Sequence, residues 1–182
     1  MKQKFLLFLA IGALAACNST DKKTSADEAQ VKSAATEEPK MDYAYTIEHP
    51  DNWVTGSREN TKMVLQSLKD YETGNIDAAV EPFADSVSLL FDGYEAKLSK
   101  DSLKAAFTTD RKMSKSLQIN MHDFESVKSK DGKTEYVSMW YTQKWEDQKG
   151  KWDSASMMDD VKIVNGKIAE IDEKMRHFAK KK

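Results

Sequence analysis

The sequence predicts an α+β domain in which helices come first and a strongly curved antiparallel sheet follows. Three observations carry this. Residues 59–73 have helical periodicity, strand-like alternation begins at Leu117, and turn signals separate the later segments at Lys130-Asp131-Gly132-Lys133, Lys149-Gly150 and Asn165-Gly166.

The chain opens with Lys2 and Lys4 and an apolar run over 5–16 that is too short to span a bilayer, so residues 1–16 read as a secretion signal. The run ends in Leu14-Ala15-Ala16-Cys17, which resembles a lipobox, and that resemblance implies lipid attachment at Cys17. Asn18 lacks the aspartate associated with inner-membrane retention, which favours the outer membrane over the inner as the place of anchoring. No second cysteine exists, so disulfides, cysteine-ligated metals and a thiol nucleophile in the mature domain are excluded. Residues 17–40 hold no aromatic side chain and cannot bury enough surface to order themselves; they form a tether. Removing the signal's two lysines from the 28 basic residues leaves 26 against 30 acidic ones, and a formal charge of −4 disfavours nucleic acid as a partner. Residues 41–58, with Tyr43, Tyr45, Ile47 and Trp53, read as a strap over the domain at 59–178, and 179–182 as a solvated basic tail.

Within the domain, Met63, Val64, Leu65, Leu68 and Tyr71 make the apolar stripe of the first helix, which Gly74-Asn75 stops. Asn75 is placed to cap a short second helix through Ala79 and Val80. A strand over 86–91, the turn Asp92-Gly93 and a strand reaching Leu98 come next. Ser99 then caps a third helix with Leu103, Ala106 and Phe107 on its apolar face. Leu117, Ile119 and Met121 alternate with polar residues, but Phe124 and Val127 break that parity, which predicts a bulge near Asp123. Strands over 134–146, 152–164 and 168–178 complete the sheet. Asn165-Gly166 is the strongest hairpin signal among the turns.

The exit Gly74-Asn75-Ile76-Asp77, the approach Phe83-Ala84-Asp85 and the late hairpin Val164-Asn165-Gly166-Lys167-Ile168 resemble the NTF2-like superfamily, in particular its SnoaL-like and ketosteroid-isomerase-like members. The resemblance implies a cone, with N-terminal helices packed in a strongly curved sheet around a pocket, and in many members a homodimer through the outer sheet face. It does not fix activity, because function on this fold lives in grafted sites. Registered on Gly74 and on Phe83-Ala84-Asp85, the isomerase's tyrosine falls on Ser67 and its general base on Phe91, so both roles are lost. Its third acid falls on Asp159 and is kept.

Asp159 shares strand parity with Met157, Val161 and Ile163, which puts a carboxyl on an apolar face where it must be paired, protonated or at a wet pocket mouth. The pocket candidates are therefore Asp159, Met157, Val161, Met139, Tyr141, Asp123, Ser67 and Phe91. Lys162 beside Asp160 suggests a cross-strand charge on the opposite face. His122 lies on the polar parity of its strand, His49 and His177 lie far from it, and neither a metal nor another cofactor is expected. The leading expectation is a small apolar ligand bound without catalysis. The second is an isomerase, dehydratase or hydrolase using Asp159 as acid with Tyr141 or Asp123. The third is a dimeric adaptor using the aromatic outer face around Tyr136 and Trp140. An open hollow holding Asp159 and a second polar group selects the enzyme.

Overall fold

The computed structural model describes residues 42–48 and 52–179. The signal, Cys17, the tether and residues 180–182 lie outside the described residues. Every helix and strand described lies in one compact unit that begins at Tyr45. None of those helices is long and apolar enough to cross a membrane.

The strap residues Tyr45 and Ile47 are exposed, and among the described residues the chain first joins the sheet at β1 (Trp53–Thr55), a short edge strand the alternation does not reveal. Helix α1 (Arg58–Thr73) starts at Ser57, whose hydroxyl accepts the Asn60 N–H at 3.2 Å. It ends at Gly74, whose φ of 83° lets its N–H reach the Tyr71 carbonyl while that of Asn75 reaches Asp70. Helix α2 (Ile76–Val80) follows, but Asn75 makes no side-chain cap bond. Strand β2 (Phe83–Phe91) begins earlier than its polar start suggests, because buried Phe83 pairs with Ile168. Strand β3 (Tyr94–Ser99) and helix α3 (Lys100–Met113) follow, with the Ser99 hydroxyl accepting from the Ser102 N–H as expected.

Strands β4 (Ser114–Ser129), β5 (Glu135–Asp147), β6 (Trp152–Val164) and β7 (Lys167–His177) form the long meander. The sheet order is β1-β4-β5-β6-β7-β2-β3, antiparallel at every join except β2–β7. That one parallel join is not foreseen by the hairpin signals. It needs a long crossover, which everything between β2 and β7 supplies. The β4 pairing slips between Met121 and Asp123, the bulge expected there.

Val64, Val80 and Leu103 from the three helices pack onto Val87, Val137 and Ile163 of the inner sheet face. The base of α1 is fixed by a buried carboxylate. Glu135 accepts the Ser57 N–H at 2.6 Å and the Asn60 side-chain amide at 2.8 Å, a negative charge at the positive end of the helix. The far end is fixed by Arg111, which donates to the Glu72 and Ser114 carbonyls and so ties α1 to the end of α3.

Candidate functional site

Between α1, α3 and the inner faces of β2, β5, β6 and β7 lies a hollow of about 750 Å³. Its floor follows from strand register. Met139 pairs with Asp159, Asp159 with Glu173, Glu173 with Phe91, and Phe91 with Tyr94. Cross-strand partners share a face, so two carboxyls stand side by side in a row flanked by the apolar Met139 and Phe91. All five residues line the hollow.

Asp159 is 4% exposed. Its Oδ2 accepts the Tyr141 phenol at 2.8 Å, whereas Oδ1 is buried with no protein partner. Burial pushes the Asp159 carboxyl up to about 7, against the opposing pull of the Tyr141 hydrogen bond and with help from the nearby charge of Asp160. Glu173 is pushed up to about 8, by burial first and then by the charges of Asp159, Asp110 and Asp92. Burial, then the charges of Asp159 and Glu173, hold Tyr141 firmly in its protonated, donating form.

The helices supply the opposite wall. Tyr71 of α1 donates to Asp110 of α3, and its ring lies edge-on to Phe107 at 5.2 Å. Burial, followed by the bond to Asp110, raises the Tyr71 phenol strongly. At the β2–β3 turn, Asp92 accepts the Met175 N–H at 3.2 Å and so closes the free end of the β7 ladder.

Six of the eight pocket candidates come together: Asp159, Tyr141, Met139, Val161, Phe91 and Ser67 line this hollow. Ser67 has a packing role there, since its hydroxyl donates to the Ala79 carbonyl at 2.7 Å and staples α1 to α2. Two candidates do not belong. Met157 is buried but does not line the space, because its register partners Tyr141 and Met175 stand on either side of it and line the hollow in its place. Asp123 is exposed. The bulge at this point pairs it with Trp140 on the outer face, and its carboxylate turns back to the Phe124 N–H at 2.9 Å. His122 is exposed as expected, against the Thr142 hydroxyl. Asp160 is a cross-strand group, bonded to Ser138 and facing Lys174 at 4.0 Å.

Glu173, Tyr71, Asp110 and Asp92 are absent from the candidates read in the sequence. For Glu173 a signal exists: Ile171, Glu173 and Met175 repeat on β7 the pattern of a carboxyl on apolar parity that singles out Asp159 on β6. Asp110 carries a comparable signal, a carboxyl one turn beyond Ala106 and Phe107 on the apolar stripe of the third helix, but its meeting with Tyr71 is set by tertiary packing.

No family model and no curated protein matches the chain by sequence. In three dimensions it is similar to SalBIII, an epoxide hydrolase/cyclase-like enzyme of pyran ring formation in salinomycin, with TM-score 0.55, 15% identity, and 65% of this chain and 92% of that one covered. AusH from Aspergillus nidulans gives TM-score 0.54 at 13% identity, covering 69% of this chain and 90% of that one. An LEH-like epoxide hydrolase of M. tuberculosis gives 0.53 at 11%, covering 65% and 83%. Identities this low speak to fold alone, and the fold is the expected α+β, NTF2-like cone.

Proposed function

We propose that this protein is a general acid–base enzyme, tethered to the bacterial envelope through lipid on Cys17, that adds water or an internal hydroxyl to a small, largely apolar substrate. The observation that carries this is the Asp159–Glu173 pair, set across adjacent strands in an open hollow with Tyr141 holding one oxygen of Asp159. A hollow with Asp159 and further polar groups favours the enzyme over passive binding. The lipobox-like Leu14-Ala15-Ala16-Cys17 supports the tether.

Two carboxyls held together lose their protons in steps that belong to the pair. Near neutral pH one is therefore an acid while the other is a base. In the proposed step the protonated member gives its proton to the substrate oxygen whose bond to carbon breaks. The ionised member takes a proton from the water or hydroxyl whose oxygen forms the new bond to carbon. The pair finishes with one proton and its roles exchanged, and positioned transfer of this kind contributes roughly 10²–10⁴-fold in rate. The names of two structural neighbours, an epoxide hydrolase and an epoxide hydrolase/cyclase-like enzyme, are in keeping with such a reaction.

The test is to incubate the purified chain with a panel of apolar epoxides and hydroxy-epoxides in oxygen-labelled water. The reading expects labelled diol or cyclic ether, with rates falling about 100-fold or more in both Asp159→Asn and Glu173→Gln. Tight binding across the panel without turnover would return the domain to the ligand-binding reading.

A further inference from the structure

Resting on that reading of the hollow, we propose that its natural occupant is an organic cation: an apolar body carrying an amine, whose ammonium group sits at the mouth between Asp92 and Asp110. Four carboxyls, Asp92, Asp110, Asp159 and Glu173, line the space, and among the described residues no lysine or arginine does. Asp92 and Asp110 are exposed at the rim, while Asp159 lies on the floor, so the negative charge runs from mouth to base. An anion entering here meets repulsion at every depth, and a neutral molecule gains nothing from the field.

The walls fit the same occupant. Phe91 and Tyr94 stand 6.4 Å apart on one side, and Tyr71 and Phe107 form the edge-on pair on the other. Aromatic faces attract a cation through the ring quadrupole and also accommodate an apolar chain. The carboxyls are spread rather than convergent: among the described residues no three histidine, cysteine, aspartate or glutamate side chains form a metal-binding group. That spacing suits an ammonium with an organic tail better than a bare metal ion.

A separate observation points to a ligand. Oδ1 of Asp159 is buried without a partner, and a carboxyl oxygen so placed is costly to leave unmet. With the ammonium at the rim, the body of the molecule reaches this oxygen and can bring its own donor to it. The upward push on Glu173 from Asp159, Asp110 and Asp92 is the repulsion that a bound cation would relieve.

The experiment uses three probes with one tail and three charges, octylamine, octanol and octanoate, titrated calorimetrically against the full chain near neutral pH. The inference expects octylamine to bind at least about tenfold more tightly than octanol, and octanoate more weakly than either. In the double variant Asp92→Asn/Asp110→Asn the preference for the amine should fall below about threefold while octanol binding is kept. Equal affinity for the three probes, a preference for octanoate, or an amine preference that survives the double variant would overturn the charge inference alone, leaving the acid–base reading intact. Binding of none of the three would overturn it together with the reading of the hollow as a ligand site.

Discussion

Tyr141 donates its phenolic proton to Oδ2 of Asp159 at 2.8 Å from the neighbouring strand, and the second carboxyl oxygen is left without a partner. The phenol favours the ionised carboxylate and so works against burial, the larger influence on this group. Tyr141→Phe removes that counterweight, and Asp159 should then hold its proton to higher pH than in the parent. NMR titration of the labelled Asp159 carboxyl reads this directly, and an unchanged or lowered midpoint would contradict the arrangement. Loss of the buried hydrogen bond should also cost about 1–2 kcal/mol of stability.

Stability should fall as pH rises through neutrality. In the unfolded chain Asp159 and Glu173 titrate near 3.8 and 4.5, whereas folding raises them to about 7 and about 8, chiefly by burial. Between those limits the folded state binds more protons than the unfolded one, so the contribution of the pair is complete below the unfolded values and is lost towards the folded ones. The loss is on the order of 3 kcal/mol for the pair, one shared proton dominating. Urea midpoints measured at about pH 5 and about pH 8.5 should differ in that direction, and Asp159→Asn should flatten the slope. A midpoint that climbs with pH would mean that the carboxyls are not buried as described.

The floor of the hollow was half legible in the sequence, and strand register explains which half. Asp159 is visible because Met157, Val161 and Ile163 mark its face on one uninterrupted strand. Its partner is hidden by a bulge. Counting outward from Asn165-Gly166 in a regular ladder sets Asp172 opposite Asp159. The pairing instead slips between Ile163 and Lys162, and Glu173 arrives there. Ile168 and Ile171, both facing the core side three residues apart, break the alternation on β7 in the way that Phe124 breaks it on β4, and they mark the slip in retrospect. Helix α1 is legible to within a residue because caps and periodicity are local. The parallel join of β2 to β7 is not, since no nearby residue encodes it.

Glu135 tests how firmly the helical wall is held. Its two oxygens take the Ser57 N–H and the Asn60 amide at the start of α1, and Ser126 adds a weaker bond at 3.3 Å. Glu135→Ala leaves the half-buried N–H of the cap residue Ser57 unpaired and removes a favourable charge, and should cost about 2 kcal/mol. Glu135→Gln keeps one acceptor and should cost less. Denaturant midpoints rank the two, and equal losses would show that the negative charge, which neither variant keeps, sets the whole cost.

Gly56 reverses an ordinary expectation. Replacing glycine with alanine commonly stabilises a chain by about 0.4–1 kcal/mol, because the unfolded state loses freedom. Here a Cβ would stand 1.9 Å from Oγ of Ser126 and 3.0 Å from Oε1 of Glu135, and the Gly56 N–H must keep its 2.9 Å bond to the Ser126 carbonyl. The backbone cannot back away without breaking the join of the edge strand to β4 and loosening the carboxylate at the foot of α1. Gly56→Ala should therefore destabilise by about 2 kcal/mol or more, as overpacking does. Ser126→Gly removes the nearer obstacle and should recover part of that loss in the double variant, while the contact with Glu135 keeps the recovery incomplete. Thermal unfolding of the four proteins in the cycle measures the coupling, and simple additivity would show that the crowding at Ser126 does not set the cost.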